Sequence, residues 1–213
     1  MFITPDSLFI RLANIESWNL IFYRGLIPFL AVFIGLIFVY KTKLLKELIS
    51  NSWHGVAYAV VFTITNIVFV ISIENTNVAN TLIMIALAPM LSAIISLIFL
   101  NENPDKKTWI AIIITTLAVI YIFYDALGAG DFLGNFLGLV AAMGLAVGAN
   151  IIRSAKKISL VPSAMLGKLM VALIALLFVD QIKIEDSDLI IVPLMCIMCV
   201  AIPFVLVTIA PRY

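Results

Sequence analysis

Charge is what this sequence has least of: only 12% of its 213 residues are Asp, Glu, Lys or Arg, against about a quarter in an ordinary globular domain, while 64% are hydrophobic. So little charge cannot keep so apolar a chain in water, which excludes a soluble domain and leaves lipid to solvate the excess. The net charge of +1 supplies neither a basic field for nucleic acid nor an acidic tail. Histidine occurs once, as His54, so no HExxH zinc motif exists, and no pair of Asp residues lies inside an apolar run. Nothing in the sequence therefore marks a catalytic residue, a metal site or a cofactor, and an enzyme is not expected. Cysteine occurs twice, as Cys196 and Cys199 in one apolar run. Without a second ligand pair they read as buried small hydrophobes rather than a redox or metal pair. The segment before Ser17 has no basic stretch ahead of an apolar one and no small-residue cleavage site, so it does not read as a signal peptide.

What the sequence has in abundance is long apolar runs. They fall at 20–40, 55–73, 80–100, 108–124, 132–152, 162–179 and 189–209. One bilayer crossing takes roughly 20 apolar residues in a helix, because unpaired backbone groups in lipid cost several kcal/mol each. The pattern predicts an all-α membrane protein, a multispanning bundle of about seven transmembrane helices with short connections. Lys41, Lys43, Lys46, Lys106, Lys107, Arg153, Lys156, Lys157 and Arg212 fall in alternate connections, nine bases against two, Arg11 and Lys183, in the others. Basic residues are retained on the cytoplasmic side, so the N-terminal segment is placed outside and the C-terminal end inside.

An Ile-Arg pair ending at Arg11 precedes Arg24 by 13 residues, and a second pair ending at Arg153 precedes Lys168 by 15. The two copies face opposite sides of the membrane, the mark of an inverted-topology repeat. The division predicted is 1–127 and 128–213. By this matching the first copy lacks its first helix and the second its last two, so the chain is expected to hold seven helices of ten.

The series Asn77-Val78-Ala79-Asn80, Ala88-Pro89-Met90, Phe99-Leu100-Asn101-Glu102 and Thr108-Trp109, followed by an apolar helix, resembles the EamA-type domain of the drug/metabolite transporter superfamily. The resemblance implies two inverted five-helix repeats, multi-pass insertion in the plasma (inner) membrane of a prokaryotic cell, and a central cavity that carries small metabolites by alternating access. Arg24, after Trp18, matches the basic residue such domains place in their second helix. The partners implied are the lipid bilayer and a small-molecule solute. A non-transporting scaffold, or a subunit completed by further helices or by a second copy in a homodimer, is the rival reading.

Ionisable groups inside spans are costly, and Arg24 and Lys168 are the two here, each roughly 6 to 8 Å inside its helix and near opposite membrane faces. They either contact the carboxylate of an anionic or zwitterionic, amino-acid-like solute, or snorkel to the headgroups. Asn66 and Asn150 either line a cavity or join helices by hydrogen bonds, and Asn80 reads as a helix cap. Tyr23 and Trp18 either line the outer mouth or belong to an interfacial aromatic belt. Glu74 and Glu102 close helices, where they meet a substrate amine, a gate residue or solvent. Gly134, Gly138, Gly144 and Gly148 form two GxxxG steps for close packing, and Pro89, Pro193 and Pro203 introduce kinks, as hinges or fixed bends. No carboxylate lies in the middle of a span, so proton coupling is not expected.

Overall fold

The computed structural model describes residues 6–13, 15–40, 53–101, 104–122, 132–155, 159–184 and 188–203. Among them the regular elements are all helical: α1 (Asp6–Leu12), α2 (Ser17–Tyr40), α3 (Trp53–Asn75), α4 (Val78–Ala86), α5 (Ala88–Phe99), α6 (Lys106–Ile122), α7 (Phe132–Ser154), α8 (Val161–Leu176), α9 (Asp188–Met195) and a π-helical turn, Cys196–Ala201, that continues α9. Among the described residues four segments are long and apolar enough to cross a membrane, Ser17–Ile37, Trp53–Asn75, Val78–Phe99 and Phe132–Ser154. The predicted run at 162–179 corresponds to a shorter helix: α8 has 16 residues, roughly 24 Å at about 1.5 Å per residue; the ends of the runs at 108–124 and 189–209 lie outside the described residues.

The run at 80–100 is two helices. Asn77 caps α4, its side chain accepting from the Ala79 N–H, so the expected cap at Asn80 is corrected to Asn77. Asn77 has the extended backbone a cap requires, whereas Asn80 is already inside the first helical turn. At Leu87 the helix is interrupted, and Pro89 opens α5, where its missing N–H costs nothing. Pro89 thus marks a real break. α5 ends at Leu100, followed by Asn101 in the left-handed region, φ 51°, the conformation that stops a helix and that Asn tolerates.

The chain divides into two compact units, Met1–Thr63 with Ala155–Tyr213, and Ile64–Ser154, the division falling inside α3. In the first unit α2 packs along α8. Gly25 makes this possible, since a Cβ there would lie 2.6 Å from the Ala172 backbone nitrogen and 2.9 Å from the Lys168 carbonyl oxygen. Further along, Trp18 stacks on Phe178 with ring centroids 4.4 Å apart. Position 18 opposite 178 and position 25 opposite 168–172 make the two helices antiparallel. α1 packs against α9, and the π-helical turn packs against α2.

The second unit is organised on α7. A Cβ at Gly134 would come within 2.6 Å of the Asn75 carbonyl group, one at Gly138 within 3.1 Å of Ser72 Oγ, and one at Gly144 would overlap Thr65 Oγ1. The small residues predicted to allow close approach therefore seat the C-terminal part of α3, antiparallel to α7. α4 and α5 pack on α7 as well, running parallel to it, with Met84 beside Gly138 and Ser92 bonded to Asn150. These directions are those that alternating spans require. α6 turns Ile110, Ile113, Ile114, Leu117 and Tyr121 outward, an apolar face suited to lipid.

Candidate functional site

The first unit buries charge. Lys168 sits in the middle of α8 with 1% of its surface exposed and is the bulkiest of the fully buried side chains. Its position follows from the residue before it. Gly167 lets α3 approach so closely that a Cβ would stand 3.0 Å from the Ala59 carbonyl oxygen, and Thr63 Oγ1 donates across the same contact to the Gly167 carbonyl at 3.1 Å. With the helices this close, Lys168 Nζ lies 5.0 Å from the centroid of the Phe62 ring, a cation–π distance. Phe62 lies well inside the 23-residue α3, so the ammonium is held within the unit.

Arg24 is also buried. Its guanidinium meets Asp6 in the fork geometry that suits a carboxylate, Nη1 to Oδ1 at 2.5 Å and Nη2 to Oδ2 at 2.9 Å. α1 brings the carboxylate there: Asp6 begins this seven-residue helix, and its 5% exposure matches that of Arg24. Because Gly25 abuts the Lys168 backbone, the two cations stand at one level of the α2–α8 pair, not near opposite faces. The reason is that α8 is shorter than its apolar run, which puts Lys168 at its centre.

The second unit buries neutral polar groups. Asn150 Nδ2 donates to the Ser92 carbonyl at 3.1 Å, to Ser92 Oγ at 3.0 Å and to the Ala146 carbonyl at 2.9 Å, so it joins α7 to α5, while its Oδ1 is buried without a hydrogen bond. Ser72 Oγ donates to the Gly134 carbonyl at 2.7 Å and lies 2.9 Å from Thr81 Oγ1. Asn80 Nδ2 donates to Thr76 Oγ1 at 3.3 Å, and Thr76 Oγ1 lies 3.0 Å from Asn135 Oδ1; Asn80 Oδ1 is buried and unsatisfied.

The remaining predicted residues are dispersed. Trp18 and Tyr23 are half-buried on α2, Trp18 stacked as described and Tyr23 edge-on to Phe22 at 5.4 Å. Asn66 and Glu74 are half-buried in the second-unit part of α3, and Pro89 is exposed. Glu102 lies outside the described residues. Cys196 and Cys199 are buried thiols in the π-helical turn. Among the described residues no three His, Cys, Asp or Glu side chains converge to hold a metal ion.

Sequence reasoning missed Asp6, Phe62, Asn77 and Ser92. Asp6 was the recoverable one, because a buried Arg24 requires a counter-charge and the N-terminal segment contains acids.

Long apolar helices packed through glycines, with charge enclosed between them, define a multi-pass α-helical membrane protein. The model of the EamA-like transporter family matches residues 7–124, over half of the chain, and the chain belongs to that family. That membership makes it a transporter-type protein of the drug/metabolite class. No curated protein and no solved structure matches it.

Proposed function

We propose that this chain belongs to a secondary carrier of small solutes bearing an anionic group, including zwitterions of the amino-acid kind, which works by alternating access. The observation that carries the reading is Lys168, a cation with 1% exposure at the centre of the apolar helix α8, beside a second buried cation, Arg24. Ionisable groups at such depth are costly and mark solute pathways. The inverted halves 1–127 and 128–213 would supply the two states, with α2 and α8 as equivalent helices whose bases stand at one level. In this reading the N-terminal segment is outside, the C-terminal end is cytoplasmic, and the membrane is the plasma membrane of a prokaryotic cell.

The test is uptake of radiolabelled glutamate, leucine, succinate and putrescine by vesicles containing the full chain. Saturable uptake of one or more of the first three is expected. Lys168→Ala is expected to weaken it about 10- to 100-fold, as loss of a charge-assisted hydrogen bond does, with Lys168→Arg recovering part. Uptake of putrescine alone, or equal uptake by wild type and a normally inserted Lys168→Ala, would sink the anion-carrier reading.

A further inference from the structure

The sequence places Asp6 ahead of the first apolar run, but α1 folds it against Arg24 inside the unit, 5% exposed and bidentate. A carboxylate therefore occupies the guanidinium fork that an incoming carboxylate would use. The two acids are chemically interchangeable at this position, so they compete for it. Among the described residues, the other groups that feel the charge of Asp6 are Lys168 from α8 and Cys196 and Cys199 from the π-helical turn; α9, packed on α1, begins with buried Asp188.

A carboxylate displaced from its guanidinium partner inside a low-dielectric unit is strongly destabilised as an anion, and taking a proton removes that penalty. Arg24 cannot exchange roles with it, because a guanidinium keeps its proton. We propose that Asp6 is the coupling group of the carrier, protonated when the solute carboxylate replaces it on Arg24 and deprotonated when it returns. This rests on the anion-carrier reading above. The proton balance is closed. One proton from the side of entry binds an Asp6 carboxylate oxygen as the solute carboxylate pairs with Arg24. On the other side the solute leaves, Asp6 releases that proton and the ion pair re-forms. A monoanion thus crosses with one proton and no net charge, and a zwitterion crosses with one net positive charge.

The full chain in sealed vesicles, with glutamate, leucine and succinate as probes and protein-free vesicles as the blank, separates the two readings. Counterflow, the exchange of labelled for unlabelled probe, reports carriage alone. Accumulation driven by an inside-alkaline pH step of one unit reports coupling, and for one proton per solute it approaches about tenfold. Asp6→Asn is expected to lower pH-driven accumulation at least about tenfold relative to counterflow in the same vesicles, and Asp6→Glu to restore part of it. Counterflow in the wild type with no response to the pH step overturns the coupling and leaves the carrier reading standing. Accumulation by Asp6→Asn equal to wild type overturns the role of Asp6. Should Asp6→Asn fail to insert, Asp6→Glu decides: pH-driven accumulation supports the role, and counterflow without it overturns the role. No counterflow of any probe defeats the carrier reading, and the coupling falls with it.

Discussion

In the unit of Met1–Thr63 and Ala155–Tyr213 the enclosed polarity is ionic, with Arg24 paired to Asp6 and Lys168 set over Phe62. In the unit of Ile64–Ser154 it is neutral: Asn150 bonded to Ser92, Ser72 beside Thr81, and Asn80 beside Thr76. The glycines differ as well. α7 presents Gly134, Gly138 and Gly144 along one contact, and the hydroxyls of Ser72 and Thr65 lie directly against that strip. Neutral hydrogen bonds in a membrane are worth little each, so the second unit gains its cohesion from close backbone approach. Buried charges are different. They are expensive to enclose and disruptive to unpair, so they are retained where they do something else. The neutral unit is thus held by close approach, and the ionic one encloses charge that close approach does not require.

Substitutions in both units test that contrast on stability, measured by denaturant unfolding of the detergent-solubilised full chain. The largest effect belongs to the ionic unit. Arg24→Ala strands the Asp6 carboxylate and is expected to cost about 3–5 kcal/mol, whereas adding Asp6→Ala to it recovers part of the loss. Strict additivity of the two single variants would mean that the pair is not coupled. Next comes the glycine strip: Gly134→Ala forces a methyl group against the Asn75 backbone and is expected to cost about 1–3 kcal/mol. Gly35→Ala, where a Cβ meets nothing within 4 Å, is its control and is expected to stabilise α2 by up to about 1 kcal/mol. Equal responses at positions 134 and 35 would remove close approach as the basis of the second unit. The smallest effect is predicted for Asn150→Leu, about 0.6–1.7 kcal/mol, since the change also removes the unsatisfied Oδ1. A loss as large as that of Arg24→Ala would erase the contrast between the two kinds of polarity.

How far the sequence carried the reading differs by residue. Arg24 and Lys168 were visible because a lone base in an apolar run stands out whatever the fold. The glycine steps on α7 were visible because their four-residue spacing puts them on one helix face. Pro89 announced the interruption at Leu87 because a missing N–H and a fixed φ act locally. Asp6 was not visible as part of the site, since it is one acid in the N-terminal segment until α1, packed on α9, brings it to Arg24. Nor was Phe62, one aromatic among many apolar residues on α3, distinguished only by the approach that Gly167 permits. Asn77 and Asn80 are three residues apart and both suit a cap, and the choice between them was made by where the backbone turns helical.

Insertion into a bilayer, the helical class and the alternating direction of the spans followed from the order of residues alone. Each depends on sums over neighbouring side chains, namely the transfer of apolar surface into lipid and the retention of bases on one side. Which polar groups meet one another had to wait for the fold. Asp6 reaches Arg24, and α8 reaches α2 and α3, only through the relative register of helices remote in sequence, and no local pattern encodes a register set by how glycines and side chains interlock.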